Sequence, residues 1–137
     1  MKNILDYLER TTVCNAWKTA VDDGNICMTW LELQEMSKSI GTALCKRTGR
    51  QKPVVILAEK SAVTLAAMFG VVYAGCFYVL MDTKQPASRL QQILGILDSD
   101  VIVTSEKYLK DLEKLEFKGK VLMAPDLADE QENEAVL

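Results

Sequence analysis

The sequence predicts an α/β fold, a mostly parallel sheet with helices on both faces, and three observations carry that reading. Short, continuous apolar runs stand at 54–58, 77–81, 101–103 and 121–123. Strands that are apolar at every position are the kind buried on both faces of a parallel sheet. Stretches with helical spacing separate these runs, and strand–helix repeated is the pattern of right-handed βαβ crossovers. Finally, 49% hydrophobic and 26% charged residues over 137 positions suit one ordinary globular domain. A chain of this length buries roughly two thirds of its unfolded surface, enough for a core.

The first elements are short. Ile4, Leu5 and Leu8 share one side of a short helix over 4–16. Two β-like pieces, 19–21 and 26–28, flank Asp22-Asp23-Gly24-Asn25, whose Asp-Gly and Gly-Asn pairs predict a hairpin turn rather than a metal site. Thr29-Trp30-Leu31-Glu32 has capping-box spacing, in which hydroxyl and carboxylate each satisfy an orphan N–H. Leu33, Met36, Ile40, Ala43 and Leu44 then recur at helical spacing to about Lys46. Thr48 to Pro53 breaks the pattern with Gly and Pro.

Val54-Val55-Ile56-Leu57-Ala58 is the first buried strand, and 61–74 is apolar nearly all round, as a buried helix is. Phe77-Tyr78-Val79-Leu80-Met81 is the second strand. Pro86 stands where it can open a helix whose stripe is Leu90, Ile93, Leu94 and Leu97. Val101-Ile102-Val103 is the third strand, and Tyr108, Leu109, Leu112 and Leu115 mark a further helix. Val121-Leu122-Met123 is the fourth strand. Residues 1–50 are expected to pack as helix, hairpin and helix on the strand–helix units of 53–123. Together they make a subdomain over 1–125, with 126–137 an acidic linker or frayed end.

Composition removes many functions. A net charge of -3 and a pI near 5.0 argue against a phosphate-backbone binder, so no nucleic-acid partner is expected. Lys107, Lys110, Lys114, Lys118 and Lys120 are interleaved with Glu106, Asp111, Glu113 and Glu116, which makes a mixed, solvated face. There is no histidine, which removes imidazole acid–base chemistry and Ser-His or Cys-His pairs. Cys14, Cys27, Cys45 and Cys76 contain no C-x-x-C pair and read as free, buried thiols, not zinc ligands. No apolar run reaches the ~18 residues that span a bilayer, and the start lacks a signal-peptide pattern. No membrane association and a cytoplasmic location are therefore expected.

Gly70-x-x-x-x-Gly75 is the one phosphate-loop candidate, but Cys76-Phe77 stands where a P-loop carries Lys and Ser or Thr. Helix packing and a C-terminal cap account for both glycines. Trp17 and Trp30, near apolar neighbours, read as core anchors, and Asp98 and Asp100 as turn residues.

One segment is more specific. Tyr73-Ala74-Gly75-Cys76-Phe77-Tyr78-Val79-Leu80-Met81-Asp82 resembles the A-G-x-x-Y-V-P-x-D motif of adenylate-forming (AMP-binding) enzymes, especially the amino-acid-activating branch. Thr83 to Leu90, with Pro86 and Arg89, resembles the family's continuation. Met28-Thr29-Trp30-Leu31-Glu32-Leu33 resembles its L-T-Y-x-E-L, and Glu59-Lys60-Ser61 also fits. Leu80 and Thr83 stand where the family has proline. D-alanine ligases and nonribosomal peptide synthetase modules are the nearest likeness.

The resemblance implies the N-terminal part of the adenylate-forming ligase fold, from an enzyme that uses ATP and magnesium. Such an enzyme makes an acyl-adenylate and passes the acyl group to a pantetheine thiol on a carrier protein. The family's phosphate loop, adenine site, magnesium-binding Glu and C-terminal Lys lie downstream of the motifs present, so no catalytic, cofactor-binding or metal residue carries over. This chain alone is expected to be inactive and without cofactor. Thr29, Glu32, Gly75, Tyr78, Asp82, Pro86 and Arg89 would serve shape, Asp82 and Arg89 tying a strand end to the next helix. The remainder of the ligase would cover part of the sheet, and without it the exposed apolar surface would favour homodimers. A stand-alone α/β interaction module is the alternative. A flavodoxin-like switch ranks last, because only Asp82 among the acids ends a strand.

Overall fold

The structure, a computed structural model, describes residues 3–81, 84–115, 117 and 119–130. Helix α1 (Ile4–Asn15) opens at Asn3, whose side chain accepts a hydrogen bond from Leu5 N at 2.8 Å. Strands β1 (Thr19–Asp22) and β2 (Cys27–Thr29) pair antiparallel as a hairpin. In the turn between them the Asp22 carboxylate accepts from Gly24 N, and Asp23 Oδ1 from Asn25 N and Ile26 N. Short Asp side chains that bond backbone two residues on are what make such turns form locally.

Helix α2 (Trp30–Cys45) leads to β3 (Pro53–Leu57), α3 (Ala62–Tyr73), β4 (Phe77–Leu80), α4 (Ala87–Leu97) and β5 (Val101–Thr104). A 3₁₀ turn (Glu106–Tyr108) then precedes α5 (Leu109–Glu113), β6 (Lys120–Met123) and α6 (Ala124–Ala128). The sheet order is β4-β3-β5-β6, and every pairing is parallel. Val54 stands in register with Tyr78 on one side and Val101 on the other.

Alternation along the inner strands divides the core. Val54, Ile56, Val101 and Val103 point to one face, where α1, α2, α3 and α6 supply Leu8, Leu33, Ile40, Leu44, Ala67, Val71 and Leu127. Val55, Leu57 and Ile102 point to the other, covered by Leu90 and Leu94 of α4 and by Leu112 and Leu115. Helices thus lie on both faces of a fully parallel sheet. The all-round apolar character of α3 follows from its place between the sheet and α2. No helix among the described residues is long and apolar enough to cross a membrane.

Three expectations need correction. Trp17 is 82% exposed and anchors no core. It follows α1 on the outer side, opposite the stripe of Leu8 and Thr12 that seats the helix. Trp30 is half-buried against the core. Of the four free cysteines only Cys76 is buried; Cys45 is half-buried, while Cys14 and Cys27 are exposed. The acidic stretch is folded at least in part, because Asp126 lies in α6 and Leu127 is 3% exposed against α2 and α3. Glu130 there forms an ion pair with Lys46. Residues 131–137 lie outside the described residues. Pro86 occupies the N-cap of α4 (φ -61°, ψ 150°), one step before the first helical turn.

Candidate functional site at the strand ends

In an open α/β sheet, ligands bind in the crevice beyond the carboxyl ends of the strands, where successive connections leave toward opposite faces. Here β3 leads into α3 on one face, while β5 leads into α5 on the other. A cleft of about 870 Å³ lies beyond the ends of β3 and β4, with Tyr108 of the turn after β5 at its margin. Its apolar floor is Ile56, Leu65, Met68, Leu80 and Met81, and its polar rim is Glu59, Lys60, Ser61, Thr64, Lys84 and Tyr108.

The rim is held by hydrogen bonds within the chain. Ser61 is the N-cap of α3: its Oγ accepts from Thr64 N at 3.1 Å, and Thr64 Oγ1 donates to Glu59 O at 2.7 Å. Ser105 Oγ donates to Glu59 Oε2 at 2.6 Å, and Thr104 Oγ1 to Leu57 O at 2.6 Å. The first amide of α3, Ala62 N, donates to Asp23 Oδ2 at 2.8 Å across 39 residues. That bond, with those from Ile26 N and Asn25 N, holds the Asp23 carboxyl below its ordinary range. The helix N-terminus that would suit a phosphate therefore already carries a carboxylate of the hairpin turn. Lys60 and Lys84 supply the positive charge of the cleft. Among the described residues no three His, Cys, Asp or Glu side chains converge as a metal site would require.

Glu59, Lys60 and Ser61, which resemble the family motif after the first strand, line this cleft; Thr29, Glu32, Gly75, Tyr78, Pro86 and Arg89 do not. Thr29 and Glu32 form the reciprocal capping box of α2, with Glu32 N donating to Thr29 Oγ1 at 3.2 Å and Thr29 N to Glu32 Oε1 at 2.9 Å. Thr29→Ala should lower stability by about 1 kcal/mol, read as a shift of the urea midpoint at constant slope. Gly75 sits at φ +78° between α3 and β4, and its carbonyl accepts from Gln51 N at 2.7 Å. Tyr78 is half-buried on β4 against the helical core. The Pro86 carbonyl accepts from Arg89 N and Leu90 N, and the Arg89 side chain is exposed on α4. Asp82, and with it the expected tie between Asp82 and Arg89, lies outside the described residues.

The sequence reading missed Asp23 as partner of α3, and missed Lys84 and Tyr108 as neighbours of Lys60. Only Ser61 before an apolar helix carried a local signal, as a serine N-cap. The other contacts depend on how the sheet brings its loops together.

The sequence model of the AMP-binding enzyme matches residues 8–136, nearly the whole chain. The chain belongs to the AMP-binding enzyme family. Nonribosomal peptide synthetase otaB of Aspergillus niger is 31% identical over 113 residues, which are 82% of this chain and 6% of that protein. Nonribosomal peptide synthetase fmqA of Aspergillus fumigatus is 38% identical over 101 residues, 73% of this chain and 2% of that one. The chain thus spans only a small part of the length of these relatives.

Solved structures of the family agree in fold. A benzoate CoA ligase from Burkholderia xenovorans superposes with a TM-score of 0.87 at 18% identity, over 98% of this chain and 30% of that one. The nonribosomal peptide synthetase FmoA3 gives a TM-score of 0.81 at 23% identity, over 95% and 14%. At these identities the likeness concerns the fold alone.

Proposed function

We propose that this chain is the N-terminal α/β portion of an ATP-dependent ligase that activates an amino acid, with residues 1–125 as its subdomain. The observation that carries the reading is the AMP-binding match over residues 8–136, supported by the nonribosomal peptide synthetases among its relatives. In the parent, a substrate carboxylate oxygen attacks the α-phosphate of ATP and expels pyrophosphate, giving an acyl-adenylate. A pantetheine thiol of a carrier protein then takes the acyl group and releases AMP. ATP and magnesium serve the parent, the rest of the ligase and the carrier are its partners, and the cytoplasm is its place.

The 137 residues alone lack this chemistry. Tight binding of a triphosphate needs backbone N–H groups or cations arranged around the phosphates. The α3 amide that comes nearest to that role is already bonded to Asp23. The net charge of -3 opposes attraction to scattered lysines. Calorimetry at physiological salt should give a dissociation constant for ATP weaker than ~1 mM, a binding free energy less favourable than about -4 kcal/mol. Amino-acid-dependent pyrophosphate exchange should stay at background, with or without magnesium. Micromolar ATP affinity, or exchange above background, would overturn this reading.

A further inference from the structure

Two of the four thiols meet where the end of α2 packs on the turn between α3 and β4. Cys45 Sγ and Cys76 Sγ each donate to the Ala74 carbonyl oxygen, both at 3.9 Å, so the sulfurs lie within two such lengths of one another. Cys76 Sγ also donates to the Gly49 carbonyl oxygen at 3.1 Å. Cys76 is 8% exposed and belongs to the core cluster against which the half-buried Cys45 packs. Burial holds the Cys45 thiol above its ordinary pKa range; the Arg50 charge opposes that shift and Cys76 adds to it. Cys14 and Cys27, by contrast, stand exposed on α1 and β2. A single buried cysteine is ordinarily a small core hydrophobe, but two that share one acceptor are placed to react with each other.

We propose that Cys45 and Cys76 are a reversible disulfide site, which under an oxidising poise links the end of α2 to the turn that Gly75 makes into β4. Cys45, the more exposed of the two, attacks as its thiolate one sulfur of a small disulfide such as oxidised glutathione. A mixed disulfide forms and one small thiol leaves. Rotation about χ1 then moves the sulfurs off the shared carbonyl and toward each other. The Cys76 thiol gives up its proton, its sulfur attacks that of Cys45, and the second small thiol leaves. Two protein thiols are oxidised, one small disulfide is reduced, and both protons end on the thiols released. Because burial keeps Cys45 protonated, the reaction is slow, and the site answers sustained oxidation rather than brief exposure. The link closes a loop in the unfolded chain, so the oxidised form is the more stable. The proposal involves no nucleotide and stands apart from the adenylation reading.

Prolonged incubation of the folded 137-residue chain with oxidised glutathione, followed by alkylation and tryptic mapping, tests it. Cleavage after Lys and Arg puts each cysteine on its own peptide, with Cys45 in 39–46 and Cys76 in 61–84. The expected result is a cross-link between these two peptides, within one chain by intact mass and reversed by dithiothreitol. Cys14 and Cys27 should gain at most glutathione. Cys76→Ser should abolish the link and leave Cys45 as its glutathione adduct. In a Cys14→Ser, Cys27→Ser background, where only this pair reacts, oxidation should raise the urea midpoint, and adding Cys45→Ser should remove that rise. Thiols of Cys45 and Cys76 that both stay free overturn the proposal, as does a link that takes Cys14 or Cys27 instead. So does a link that forms only in urea, or a linked chain no more stable than the reduced one.

Discussion

Gly70→Val should destabilise the chain by about 3 kcal/mol, near the top of the range for overpacked cores. Gly70 lies in α3 where that helix crosses α2. A Cβ at this position would stand 2.6 Å from Ile40 Cγ2, 2.8 Å from Ile40 Cβ and 3.0 Å from the Ser37 carbonyl oxygen. Ile40 is fully buried and part of the core, so it has no space to move into, and the carbonyl belongs to the helix backbone. The helices would have to separate, and packed interiors resist that. Even alanine should destabilise here, although it favours a helix over glycine by up to ~1 kcal/mol. Gly95 in α4 is the control: a Cβ there meets nothing within 4 Å, so Gly95→Ala should stabilise by up to ~1 kcal/mol. Opposite signs for the two alanine variants in urea melts are the expected result. Equal signs would mean that α2 and α3 do not approach as closely as described.

Gly75→Val should cost about 2 kcal/mol, for a different reason. At φ +78° the backbone is in the left-handed region, which costs an L-residue roughly 1–2 kcal/mol and suits β-branched side chains least. A Cβ would also stand 2.8 Å from Arg50 Nη1, but a long flexible side chain can withdraw, so this adds little. Gly75 N and Cys76 N close the end of α3 on Val72 O and Val71 O, so the conformation cannot relax without losing that cap. Gly75→Asn should therefore cost visibly less than Gly75→Val, because asparagine tolerates this region. Melts in which both variants match the parent would mean that the chain does not turn here at positive φ.

The features legible in the chain were those that depend on residues close together in it. The apolar runs mark the strands because a strand buried on both faces must be apolar throughout. The capping box at Thr29 and Glu32 closes over three residues, and the Asp-Gly turn over two or three. The Gly75 cap bonds back to Val71 and Val72. Each of these is a bond or a packing choice that the local sequence settles by itself.

Trp17 shows where that reasoning fails. Its size and the alanines at 16 and 20 suggest burial, yet the direction in which α1 presents it is fixed by Leu8 and Thr12 finding the core, and Trp17 is left outside. The acidic start of α6 likewise hid Leu127, one apolar side chain whose burial depends on α2 and α3 standing beside it.

From its order of elements and its motifs, the sequence by itself determined the α/β class, the parallel strands, the helix caps and the family likeness. Tertiary structure alone decided that β3 lies between β4 and β5, and that Lys60, Lys84 and Tyr108 meet at one cleft. It alone brought Asp23 to Ala62 N and Lys46 to Glu130. Those contacts join residues 39 and 84 positions apart. No local propensity encodes them; they form only once burial of the shared core has fixed the helices and loops in place.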